Sequence, residues 1–113
     1  MTTKYATNFT ETFPFSDNGF MLFLVATTAL PITVPGTPDQ IYRARFAIPY
    51  GQSVWVKLNG TAVIPTSGAA TATYNQEMID MNFVKYVKGG DTLSFISSGT
   101  PQVGVSFLLV QPQ

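Results

Sequence analysis

The sequence predicts an all-β fold: a single β-sandwich of jelly-roll or Greek-key type, with about seven or eight short strands and an extended N-terminal arm. Three observations predict it. Runs rich in Val, Ile, Phe, Tyr and Thr recur along the chain, clusters of Pro, Gly, Asn and Asp separate them, and no stretch sustains a helical period. With 113 residues the chain fits one domain and has no room for a second. The arm is assigned to residues 1–18 and the sandwich to residues 19–113.

The arm interleaves polar residues with Tyr5, Phe9, Phe13 and Phe15, and breaks at Pro14 and at Ser16-Asp17-Asn18-Gly19. Its rings match neither a helical nor a strand period, so they need a surface to bury them, either the chain's own domain or a neighbour. Residues 20–28 are apolar, aromatic or Thr and read as a strand, and Leu30 to Val34 follows before the breaker cluster Pro35-Gly36-Thr37-Pro38-Asp39. From Ile41 to Ile48 the residues alternate, which places Tyr42, Ala44, Phe46 and Ile48 in the core and Arg43 and Arg45 outside.

Pro49-Tyr50-Gly51 turns the chain into Val54 to Leu58, with Val54, Val56 and Leu58 inward and Trp55 and Lys57 outward. Asn59-Gly60 then predicts a type I′ hairpin into Thr61 to Ile64, because both central positions of that turn need positive φ. Residues 65–75 read as a long loop, and residues 76–81 fit either one helical turn or the start of a strand. Phe83 to Val87 and Thr92 to Ile96 flank Lys88-Gly89-Gly90-Asp91 and predict a second hairpin. The last strand is Val103 to Val110, where small Gly104 and Ser106 suit a packed or edge position.

Only 12 residues carry a formal charge, while 45% of the chain is hydrophobic. Ordinary domains are roughly a quarter charged. A folded chain of 12.3 kDa exposes on the order of 6,000 Å², or about one charged side chain per 500 Å², so much of that surface is expected to be buried against other chains. Six basic and six acidic residues cancel, leaving no net field for nucleic acid or an anionic membrane. The most apolar run, Phe20 to Ala26, is far too short to cross a bilayer as a helix, and Met1-Thr2-Thr3-Lys4-Tyr5 shows no secretory pattern.

The chain has no His and no Cys, which removes the side chains that most often act as general base, nucleophile or metal ligand. Glu11, Asp17, Asp39 and Asp91 fall in the arm or in turns, where carboxylates usually cap the backbone, and Glu77 and Asp80 are the only close acidic pair. Lys88-Gly89-Gly90-Asp91 lies between strands, whereas phosphate-cradling loops open a helix. Asp17 and Asn18 lack the spacing of a calcium loop. No catalytic residue, cofactor or metal is expected.

The most suggestive constellation is an outward row of Arg43, Arg45, Trp55 and Lys57, provided that the strands carrying them are neighbours. Arg and Trp together recur at protein interfaces and sugar platforms. The alternative is that Trp55 packs in the core and the arginines solvate an edge.

The runs Tyr42-Arg43-Ala44-Arg45-Phe46-Ala47-Ile48-Pro49-Tyr50-Gly51, Val54-Trp55-Val56 with Asn59-Gly60-Thr61, and Tyr86-Val87-Lys88-Gly89-Gly90-Asp91-Thr92-Leu93-Ser94-Phe95 resemble the small β-sandwich decoration or cement proteins on tailed-phage capsids. The resemblance spans residues 41–110 in style and size. It implies a non-enzymatic virion protein made in the host cytoplasm, bound at junctions between major capsid protein subunits and pairing or trimerising there. The residues expected to bind the partner are Tyr5, Phe9, Phe13, Phe15, Arg43, Arg45, Trp55 and Lys57. A tail-fibre module that binds a receptor or carbohydrate through Trp55, Tyr42 or Tyr50 is the alternative, and a glycoside-active enzyme a distant third.

Overall fold

The computed structural model describes residues 15–65, 72, 74–79 and 83–111. Eight strands run in chain order: β1 (Asn18–Phe23), β2 (Leu30–Thr33), β3 (Ile41–Ala47), β4 (Val54–Leu58), β5 (Gln76–Met78), β6 (Val84–Lys88), β7 (Thr92–Ser97) and β8 (Gln102–Gln111). There is no helix among the described residues. The strands form two four-stranded sheets: sheet A in the order β1-β8-β3-β6 and sheet B in the order β2-β7-β4-β5. Every pairing is antiparallel.

Alternation along the strands builds the core. From sheet A, Leu22, Tyr42, Ala44, Phe46, Val87, Val103, Val105 and Phe107 face inward, and Val54, Val56, Leu93 and Phe95 meet them from sheet B. Phe46 bridges the layers, its ring 5.8 Å from that of Phe95. Phe107 is packed edge-on by Phe20 at 6.0 Å and by Tyr42 at 6.1 Å. Fully burying one such ring contributes about 1.5 to 3 kcal/mol by area. The inward set expected for β3 is the observed one, with Ile48 partly buried at its end.

Six of the seven connections change sheets; only β4 to β5 stays within one. This wiring overturns both predicted hairpins. Asn59 does adopt positive φ, at 53°, but Thr61 to Ile64 does not return along β4. The neighbours of β4 are β7 and β5, and the chain after Gly60 crosses the outside of sheet B. Asn59 instead bonds to the start of β7, its amide N–H donating to the Thr92 carbonyl at 2.7 Å and its Oδ1 accepting from the Thr92 N–H at 2.8 Å.

The turn at 88–91 likewise leads from β6 in sheet A to β7 in sheet B. Its two glycines have different reasons. A Cβ on Gly89 would overlap the backbone of Gly36 and Thr37, while Gly90 has a φ of 89°. The Gly89 N–H donates to the Gln40 carbonyl and the Gly90 N–H to the Val34 carbonyl, so the turn is anchored on the β2–β3 connection. Residues 76–81, which the sequence left between helix and strand, begin as strand β5. Pro31 sits on β2, an edge strand of its sheet, where a missing N–H is tolerated.

Candidate functional site

Each sheet has one face in the core and one outside, and the two outer faces differ. On sheet A, register places the outward side chains in three rows across the strands: Met21, Gly104 and Ala47; Gly19, Ser106, Arg45 and Val84; Leu108, Arg43 and Tyr86. The small residues form a shallow floor. Around it stand large apolar groups that remain open to solvent, with Met21 58%, Phe23 65% and Tyr86 68% exposed. Large exposed apolar patches of this kind mark interaction surfaces more often than scattered single residues do.

The charges within the strands of this sheet have one sign, while the Asp17 carboxylate just before β1 accepts from Leu109 of β8. The strands of sheet A carry Arg43, Arg45, Lys85 and Lys88, and no Asp or Glu. Arg43, Arg45 and Lys88 share the outward parity of Tyr86, whereas Lys85 turns to the open edge between the sheets. There its Nζ lies 2.8 Å from the Glu77 carboxylate of β5 and 5.3 Å from the centre of the Phe83 ring. Behind this half-exposed pair is a cavity of about 210 Å³ lined by Phe46, Val56, Leu58, Phe83, Val87 and Leu93.

The outside of sheet B is covered by its own chain. The segment after Asn59 lies across it, with the Ala62 N–H donating to Ser94 Oγ at 3.0 Å. The Val63 N–H donates to Gln76 Oε1 at 3.0 Å, and Gln76 Nε2 donates to the Val63 carbonyl at 2.8 Å. The Gln76 amide thus pairs with the segment as a neighbouring backbone would. Ala62, Ser94 and Gln76 are 1%, 2% and 4% exposed, although the two strand residues point away from the core. Trp55, paired with Met78 and Ile96 on this face, is half-buried.

The expected partner-binding residues are therefore distributed differently from the sequence reading. Arg43 and Arg45 lie on β3 in sheet A, Trp55 and Lys57 on β4 in sheet B. The single outward row does not form, because β3 pairs with β6 and β8 whereas β4 pairs with β5 and β7; the four residues divide between opposite outsides of the sandwich. Tyr42 is no sugar platform, being buried against Phe107. Tyr50, in the β3–β4 connection, is open to solvent. Phe15 is exposed just before β1, and Tyr5, Phe9 and Phe13 lie outside the described residues.

Met21, Phe23, Tyr86 and Leu108 were missed as members of a surface. Alternation within each strand signals their outward direction, but nothing in the sequence says that those strands are adjacent. Of the described carboxylates, Asp17 and Asp91 serve the backbone, whereas Glu77 pairs with Lys85 and Asp39 accepts from the Thr37 hydroxyl. Asp17 accepts from the Leu109 N–H at 2.7 Å, and Asp91 from the Lys88 N–H at 3.1 Å and from Asn59 Nδ2 at 3.3 Å. Among the described residues no three acidic side chains gather as a metal-binding group. No family model matches the chain, and neither a curated protein nor a solved structure matches it.

Proposed function

We propose that the protein is a structural virion component, a decoration or cement protein that binds the outside of a phage capsid and staples its subunits. The observation that carries this reading is the open outer face of sheet A, where exposed apolar side chains surround two arginines in a chain otherwise short of surface charge. Arg and large apolar or aromatic residues are enriched where protein interfaces are buried. The strand order supports a jelly-roll type, since in β1-β8-β3-β6 facing β2-β7-β4-β5 every connection but β4 to β5 passes between the two sheets, a plan common in viral capsid and lectin domains. In this reading the aromatic arm, Tyr5 to Phe15, adds contacts on neighbouring subunits, and many copies on one shell add avidity.

Co-sedimentation with empty shells assembled from the major capsid protein of the same genome tests the proposal. The expected result is saturable binding at a fixed ratio of copies to shell subunits, weakened when residues 1–14 are removed. Protein that stays in the supernatant at every concentration rules the reading out. A second reading, a carbohydrate-binding module, rests on the fully open ring of Tyr50. It requires specific glycan binding that Tyr50→Ala or Trp55→Ala abolishes.

A further inference from the structure

We infer that β1 pairs edge to edge with β1 of a second copy of this chain, about a two-fold axis, joining two copies of sheet A into one continuous antiparallel sheet. The inference goes beyond the capsid reading and stands without it, because it concerns how copies of the chain meet each other.

Among the described residues four strands stand at sheet edges: β1 and β6 in sheet A, β2 and β5 in sheet B. An edge presents unpaired backbone groups, and folded proteins blunt it with charge, proline or brevity. Three of these edges are blunted. β6 carries Lys85 and Lys88, β2 carries Pro31, and β5 has three residues, one of them Glu77. β1 has none of these devices: Asn18–Phe23 is six residues long, uncharged and free of proline, and only Leu22 in it is buried.

The ladder with β8 identifies the free backbone groups. The Leu24 N–H donates to the Pro101 carbonyl at 3.1 Å, so alternation turns Asn18, Phe20 and Leu22 toward β8 and Gly19, Met21 and Phe23 toward the open edge. The Gly19 N–H is already taken by Asn18 Oδ1 at 2.9 Å. What faces outward is the N–H groups of Met21 and Phe23 and the carbonyls of Gly19, Met21 and Phe23.

This row is complementary to itself. When two β1 strands run antiparallel with Met21 opposite Met21, each Met21 N–H meets the other copy's Met21 carbonyl, and each Phe23 N–H meets the other copy's Gly19 carbonyl. Side chains fit the same register. The Phe23 ring, 65% exposed, comes to lie beside Gly19 of the second copy, which has no side chain to obstruct it, and an aromatic next to an edge glycine is a favourable cross-strand pair. Sliding the register to its nearest alternatives sets Phe23 against Met21, or against Asp17, whose carboxylate is held by the Leu109 N–H. No charged residue of β1 opposes another, and one contact closes both open edges.

The test uses the full chain. The contact is small, so half-dimerisation is expected on the order of 100 µM, with the monomer prevailing at low micromolar concentration. Sedimentation equilibrium should show a monomer–dimer equilibrium, and exchange of the Met21 and Phe23 amides should slow about fourfold from roughly 10 µM to 1 mM, as the free fraction falls. The Phe20 and Leu22 amides, already bonded to β8, should not respond. Because residue 21 faces its own counterpart, Met21→Lys and Met21→Glu should each weaken association more than about tenfold, while an equimolar mixture of the two restores it.

A wild type that stays monomeric up to about 1 mM overturns the inference, as does a mixture that associates no better than its components. A trimer also overturns it, since a two-fold edge contact closes at two copies. If the Met21 and Phe23 amides are slow at every concentration and quicken when residues 1–14 are removed, the chain's own arm occupies the edge and the inference falls. Shell binding by a wild type that shows no such dimer leaves the capsid reading standing without this one.

Discussion

The outer faces of the two sheets are made by the same strand alternation, yet among the described residues one is covered and the other keeps Met21, Phe23 and Tyr86 exposed. Sheet B is covered because the connection between β4 and β5, running from Asn59 to Asn75, is long enough to fold back, and because Ser94 and Gln76 offer polar atoms where its backbone arrives. Backbone groups laid on a sheet must find partners, and a hydroxyl and a carboxamide can accept from N–H groups. The centre of sheet A offers the single hydroxyl of Ser106 beside Arg43 and Arg45, whose guanidiniums only donate, and no carboxamide equivalent to that of Gln76 stands there.

Three substitutions sharpen this contrast, and the largest effect should fall on the core that both faces share. Phe95→Ala removes a fully buried ring that contacts Phe46 across the layers and should lower unfolding stability by about 3 to 5 kcal/mol. Urea unfolding measures this, and a loss below about 1 kcal/mol would mean that the sheets do not share one core. Next comes the cover of sheet B. Gln76→Ala strips both part-buried hydrogen bonds from the Val63 backbone, a cost of about 1 to 2 kcal/mol. Amide exchange at Ala62 and Val63 should quicken while that of β8 lags behind.

The smallest effect belongs to sheet A. Met21→Ser with Phe23→Ser alters exposed side chains and should change stability by no more than about 0.5 kcal/mol per site, while reducing the fluorescence of a bound hydrophobic dye. A loss above about 1.5 kcal/mol in unfolding experiments would mean that the face is already packed in the isolated protein, and the contrast with sheet B would collapse.

Much of the fold was legible in local pattern. The alternation of Ile41 to Ile48 named the buried set of β3, and the breaker clusters at 35–39 and 49–51 separated strands where the structure separates them. The two turns with the strongest local signatures misled. Asn59-Gly60 and Lys88-Gly89-Gly90-Asp91 have hairpin chemistry, and Asn59 and Gly90 do adopt positive φ, but the strands they join belong to different pairings. Turn residues report the backbone angles at a corner; they do not report which sheet the chain enters next. The candidate face was harder still to read, because Met21, Arg45 and Tyr86 come from three strands well separated in sequence.

By itself the sequence determined an all-β chain, the boundaries of most strands, the inward or outward direction of their side chains, and a surface poor in charge. Those properties depend on period and composition, which act within a few residues. The tertiary structure alone decided that Arg43 and Arg45 share a face with Met21 and Tyr86 and not with Trp55, and that among the described residues one outside is covered while the other exposes large apolar side chains. The reason is that strand pairing is set by burying both inner faces at once. Here that requirement sends six of seven connections from one sheet to the other, so sequence neighbours become opposite walls and distant segments become adjacent strands.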